Sequence, residues 1–136
     1  MTYPVCEISG IGPDVADRLK AAGIRTTTRL LDLAKGPKER KRLAEKTGLD
    51  EKRILSWANT ADRMRIKGIG SEYADLLQAA GVETVKELKY RNPQKLVEAM
   101  AEINAKRKLA RVMPSPRAVV RWVEQAKRIP LKITYR

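Results

Sequence analysis

The chain has 136 residues, 43% of them apolar, enough for one well-cored domain or two small ones in contact, and no large disordered region is expected. Its 29 Lys and Arg against 16 Asp and Glu give +13, of which +4 falls on residues 1–64 and +9 on 65–136, a field suited to a polyanionic partner. With no histidine and a single cysteine, Cys6, the chain lacks a His-based general base, a Cys–His nucleophile pair, an ordinary zinc site and an intramolecular disulfide.

Helix punctuation then divides the chain. A helix over 13–22 opens on Pro13 and stops at Gly23, and a second begins near Thr26 and carries Leu30, Leu31 and Leu33. Gly36-Pro37 breaks it and restarts a basic helix over 37–46, with Gly48 as its stop. Asp50 is placed to cap a long helix over 50–65, whose Ile54, Trp57, Ala58, Ala61 and Met64 fall on one stripe. The plan then repeats: a helix over 71–80 stopped by Gly81, a short one from Thr84 to Tyr90, and a longer one over 93–109 opened by Asn92-Pro93. Pro114-Ser115-Pro116 starts a last helix carrying Val119, Trp122, Val123, Ala126 and Ile129, and Pro130 ends it before an alternating, extended tail over 131–135.

The repeat is explicit in the residues. Ile8-Ser9-Gly10-Ile11-Gly12, with Ala16, Leu19 and Ala21-Ala22-Gly23, returns 58 positions later as Ile66-Lys67-Gly68-Ile69-Gly70, with Ala74, Leu77 and Ala79-Ala80-Gly81. The tryptophans are 65 apart, so the second copy holds about seven extra residues, expected around 105–114. Two glycines around an isoleucine make a tight bend: the isoleucine anchors it in a core while the glycines let another molecule approach the backbone. A helix starts directly after the second glycine, so unpaired amides and the positive end of the helix dipole face outward together, a seat for phosphate. A Gly-x-Gly-x-x-Gly dinucleotide loop is excluded, because position 15 is Val and no strand precedes the bend.

Both copies resemble the helix-hairpin-helix motif, an apolar-x-Gly-apolar-Gly run followed by Ala and an apolar residue at fixed spacing. Copy two has a clear helix ahead of its bend; copy one has only residues 1–7, interrupted by Pro4. Through Trp57-Ala58-Asn59, Ile66-Lys67-Gly68-Ile69-Gly70, Glu72-Tyr73-Ala74, Glu87-Leu88, Arg91-Asn92-Pro93, Val112 to Ser115 and Trp122-Val123, the chain resembles a bacterial domain family of unknown function built from tandem units of this kind. The resemblance implies an all-α fold of two tandem helix-hairpin-helix units packed together with a short extended tail. The units are expected at 1–64 and 65–136, the 50–65 helix leading into the second bend and the two Trp helices sharing the core. The wider motif group implies contact with DNA through hairpin amides, without base reading.

The expected function is therefore non-sequence-specific binding to the sugar-phosphate backbone, with double-stranded DNA as partner. Amides at Gly12, Asp14, Gly70 and Ser71 would hold phosphates; Ser9, Ser71 and Lys67 would add side-chain donors; Arg63, Arg65 and Lys20 would add charge; Gly10, Ile11, Gly68 and Ile69 would shape the two bends. The basic runs 35–42 and 106–111 either widen this footprint or form solvated helix faces. Alternatives are a protein-protein adaptor on the same scaffold and an RNA- or ribosome-associated protein. Asp14 with Asp17 and Glu72 with Asp75 are better read as first-turn acids than as metal ligands, so no enzyme, cofactor or metal is expected. No spanning helix or export signal is visible, which implies no membrane partner and a cytoplasmic location, with nucleoid association as an option if the partner is DNA.

Overall fold

The computed structural model describes residues 2–136, and its architecture is all-helical. Eight α-helices follow in order: α1 (Pro13–Ala21), α2 (Thr27–Leu33), α3 (Pro37–Thr47), α4 (Glu51–Arg63), α5 (Ser71–Ala79), α6 (Val85–Lys89), α7 (Pro93–Arg107) and α8 (Pro116–Arg128). A single 3-10 turn, Val5–Glu7, precedes them, so the first bend has one turn where the second has a whole helix. Met1, where the first expected unit begins, lies outside the described residues.

Local chemistry sets most of these starts. The side chains of Thr26, Asp50, Thr84, Asn92 and Ser115 each accept a hydrogen bond from an amide in the first turn of the helix that follows, a cap that contributes about 1 kcal/mol. Pro13, Pro37, Pro93 and Pro116 occupy first helical positions, where the missing N–H costs nothing.

Packing pairs off alike in the two halves of the chain. α4 packs on α2 and α3, and α8 on α6 and α7; α1 leans on α3, and α5 on α7. The main-chain bonds repeat with the residues: Ile11 N–H donates to Ile8 O and Ile69 N–H to Ile66 O, both at 3.1 Å, while Ile24 to Leu19 and Val82 to Leu77 are both 2.8 Å. The additional residues of the second half lie in α7, which has 15 residues to the 11 of α3, and in a longer connection to α8. α7 ends at Arg107, earlier than its pattern predicts, because Lys108 turns left-handed (φ 51°). The Asn104 side chain then holds Ala110 at both its N–H (2.9 Å) and its C=O (3.0 Å). α4 likewise stops at Arg63, since the turn into the second bend begins at Met64.

The two Trp helices contribute to one hydrophobic core, as expected, although their main contacts are not with each other. Trp57 and Trp122 are buried, but each helix packs within its own half, and it is α4 with α5 that packs across. Both chain ends contribute further ties. Val5 N–H donates to Arg25 O (2.9 Å) and Thr27 N–H to Tyr3 O (2.8 Å), fixing the start of the chain to the α1–α2 loop. The tail is extended, as its alternation suggests, and crosses to the first half: Thr134 N–H donates to Lys35 O (2.7 Å), Arg40 donates to Thr134 O (2.8 Å), and the Tyr135 hydroxyl reaches Asn59 Oδ1 (2.9 Å).

Candidate nucleic-acid interface

The two glycines of each bend have different tasks. Gly10 and Gly68 stand at φ 93° and 94°, a region that side-chain-bearing residues avoid, and a Cβ there would lie 3.3 Å from Trp57 Nε1 and 3.0 Å from Trp122 Nε1. Each indole therefore supports the underside of a bend, and Ile11 and Ile69 plug the same bends into the core. Gly12 and Gly70 are different: their φ of −83° and −92° suits any residue, and a Cβ on either would meet nothing within 4 Å. They are the N-caps of α1 and α5, and neither helix receives a side-chain cap. The opening amides of both helices are left to solvent or to a ligand.

Around the second bend, cations dominate on one side. Lys67 is exposed, and its own N–H is taken by Gln125 Oε1 at 3.0 Å. A groove of about 560 Å³ runs between this bend and the start of α8, lined by Lys67, Gly68, Ser115, Arg121 and Trp122. On the other side an open groove of about 610 Å³ is lined by Tyr3, Glu7, Gly70, Ser71, Glu72 and Arg111. There Glu72 accepts from Arg111 at its N–H (3.1 Å) and at its guanidinium (3.3 Å), and this partner holds the Glu72 carboxyl below its usual pKa. Tyr73 stacks tilted on Trp122, with centroids 5.3 Å apart, and donates to Val112 O at 2.8 Å, fixing the strip of chain that separates the two grooves.

The first bend is more crowded. Ser9 lies at the mouth of a groove beside α5, and its hydroxyl donates to the Asp75 carboxylate. Pro13 removes one opening amide that Ser71 retains in the second copy. Asp14 pairs with Arg18 at 3.3 Å. Arg53 lies over the Trp57 ring at 4.9 Å and approaches Gly10 O at 3.5 Å. Lys20 is exposed, with no ion pair among the described residues.

Three expected contact residues are corrected. Arg63 is fully buried: its guanidinium donates to Ala74 O (3.2 Å), Thr60 Oγ1 (3.0 Å) and Glu83 O, and burial lowers its pKa to about 10. Arg65 is spent on Asp62 (2.6 Å) and Pro130 O (2.9 Å), with the Asp62 carboxyl pushed up by burial against the pull of that same arginine. Ser9 is occupied by Asp75. The basic run 35–42 also divides, since Arg40 is buried and donates to Ala34 O at 3.0 Å. In the run 106–111, Lys106 pairs with Glu102 and Arg111 with Glu72.

The structure adds three residues that sequence reasoning did not single out: Arg121 and Gln125 on α8, which border the second bend, and Arg53 beside the first. They stand at different offsets from their tryptophans, Arg53 four before Trp57, Arg121 one before and Gln125 three after Trp122, so the repeat gave no signal for them. Among the described residues, no helix is long and apolar enough to cross a membrane.

A family model described as a domain of unknown function, DUF4332, matches residues 9–129 of the chain. No solved structure matches it.

Proposed function

The chain belongs to the DUF4332 family, and from its own geometry we propose that it binds double-stranded DNA without sequence preference, its two glycine bends acting as helix-hairpin-helix phosphate seats. The observation that carries this reading is the second glycine of each bend. Neither Gly12 nor Gly70 is required by backbone angle or by packing, yet each stands where a capping side chain would otherwise cover the opening amides. A glycine there lets a phosphate oxygen reach those amides at hydrogen-bond distance, with the helix dipole favouring its charge.

The surroundings favour the second bend. Gly70 and Ser71 offer consecutive amides, Lys67 stands exposed beside them, and Arg111 lines the adjoining groove. The indoles offer no platform for unstacked bases at the bend, since both are buried, and the Tyr73 ring is held against Trp122 with its hydroxyl tied to Val112. Contacts of this kind grip backbone rather than read base edges, so affinity depends on charge and salt instead of sequence.

The test is a titration of an arbitrary duplex at several salt concentrations. Log K falls linearly with log salt, at about −0.9 per phosphate neutralised, and Lys67→Gln makes the slope shallower by about one unit. Gly70→Ala and then Gly70→Val lower the affinity in that order while the fold is kept, because a Cβ there meets nothing within 4 Å and the lost N-cap preference for glycine costs only about 1 kcal/mol. Absent binding, or binding indifferent to salt, overturns the proposal.

A further inference from the structure

The exposed face of α8 touches the second bend only through Arg121, and no other helix packs on it. Arg117, Arg121, Glu124 and Arg128 follow at i, i+4, i+7 and i+11, one side of a helix, and all four are exposed. The three arginines take part in no ion pair among the described residues, and Glu124 is balanced by Lys127 at 3.5 Å. From residue 106 to the end the chain carries ten basic residues and one acidic one. The opposite side of α8 is consumed by the core: Val119, Trp122, Val123 and Ala126 are at most 2% exposed. The helix therefore presents charge, and Val120 is the one large apolar side chain it exposes, too little to enter a bilayer or a hydrophobic groove on another protein.

We infer that this arginine face is the main docking surface for the duplex backbone, continuous with the groove beside the second bend, and that the first bend is the weaker of the two phosphate seats. The inference deepens the DNA-binding reading and rests on it. Arg121 belongs to both surfaces, since it lies on the α8 face and walls the groove opposite Lys67. At 1.5 Å rise per residue, Arg117 and Arg128 are about 16 Å apart along the axis. A duplex presents a negative charge every ~1.7 Å of its own axis, so several phosphates come within reach of such a row. The first half offers a weaker counterpart: on α3 the exposed Lys38, Lys41, Arg42 and Lys46 stand among Glu39 and Glu45, two acids to the single Glu124 of α8, and the Ser9 hydroxyl of the first bend is held by Asp75.

Two triple variants separate the possibilities, each made at exposed positions and checked by its thermal melt. In Arg117→Gln/Arg121→Gln/Arg128→Gln the salt slope for duplex binding becomes shallower by about three units, so the loss of affinity between 50 and 200 mM salt is about 40-fold smaller than in the parent. In Lys38→Gln/Lys41→Gln/Lys46→Gln the slope stays that of the parent. If the α8 triple keeps the parent slope, or the α3 triple loses as much, the α8 assignment is wrong while duplex binding stands. If the parent itself ignores duplex DNA, both readings fall. Displacement of the DNA by duplex RNA or by phosphatidylserine vesicles at equal charge concentration would assign the face to a different polyanion and overturn the inference.

Discussion

The two bends share residues, main-chain bonds and a tryptophan support, and differ in what precedes them. Ahead of the second stands the whole of α4; ahead of the first, a single 3-10 turn. The consequence is visible at one carbonyl. In the first half Arg25 O accepts from the N–H of Val5. In the second half the matching carbonyl, that of Glu83, accepts instead from the guanidinium of Arg63, the counterpart of Val5. Inside a helix the Arg63 N–H is already spent, so a side chain must do what free backbone does in the other copy. A long cation has been drawn into the core for a structural reason, and the same bend has been left open to solvent.

Breaking that tie gives the largest expected effect. Arg63→Leu removes the side-chain donor of Ala74 O and Glu83 O and costs about 1–3 kcal/mol for each carbonyl left unpaired. Val5→Ala in the first half trims a small buried side chain and costs less. Denaturant unfolding of the two variants reads the difference, and an Arg63→Leu protein as stable as the parent would show that the guanidinium does not hold the second bend.

Gly68→Ala and Gly10→Ala come next. Both force a side chain to a positive φ, which costs about 1–2 kcal/mol. The contact with the indole nitrogen is tighter at Gly68 (3.0 Å) than at Gly10 (3.3 Å), so Gly68→Ala loses more. Melting temperatures in the reverse order would mean that the tryptophan supports are not equivalent.

These contrasts also mark what the sequence could disclose. The all-helical class, the caps at Thr26, Asp50, Thr84, Asn92 and Ser115, and the glycine stops were legible because they depend on residues within one turn of one another. The paired bends were legible because a repeat makes a weak local signal count twice. Arg63 was misread as a surface cation because the apolar stripe of Ile54, Trp57, Ala58, Ala61 and Met64 implies a free face. In fact all of residues 57–64 are buried, since α4 is covered by α2, α3 and α5 together. Arg65 had a readable partner in Asp62 three residues earlier, and the i, i+3 spacing was the overlooked signal. Ser9 with Asp75, and the tail with Lys35 and Arg40, join residues 66 to 99 positions apart. Pairings at such separations are decided by how the two halves meet, which no local pattern encodes.

The comparison sharpens further at the second glycines. Gly12→Val and Gly70→Val should both leave the fold intact, because neither new side chain meets a neighbour within 4 Å at its Cβ. Duplex affinity should separate them. Gly70→Val loses about tenfold, roughly 1.4 kcal/mol, whereas Gly12→Val changes little, since Pro13 has already removed an amide and Asp75 brings a carboxylate to Ser9. Equal losses at both positions would make the two bends equal seats.

The smallest effect separates the two first-turn acids. Asp14 pairs with Arg18 inside α1, while Glu72 reaches out of α5 to Arg111 across the groove. Because that arginine lowers the folded-state pKa of Glu72 below the ordinary 4.5, the pair contributes stability above that pH and loses it as the pH falls through the depressed value. Glu72→Gln therefore flattens the acid side of the melting-temperature profile, an effect that added salt diminishes in the parent. Asp62 acts in the opposite sense. Burial raises its pKa, so its contribution is present at low pH and fades as the pH rises through the raised value, and Asp62→Asn cannot reproduce the Glu72 result. The Glu72 exchange also frees Arg111 beside Gly70 and Ser71, in the groove where a phosphate would sit. At neutral pH, Glu72→Gln should then bind duplex more tightly, with a salt slope steeper by about one unit. A variant with a flattened acid limb but an unchanged slope would place Arg111 outside the DNA contact, while leaving its ion pair as a purely structural strap over the second bend.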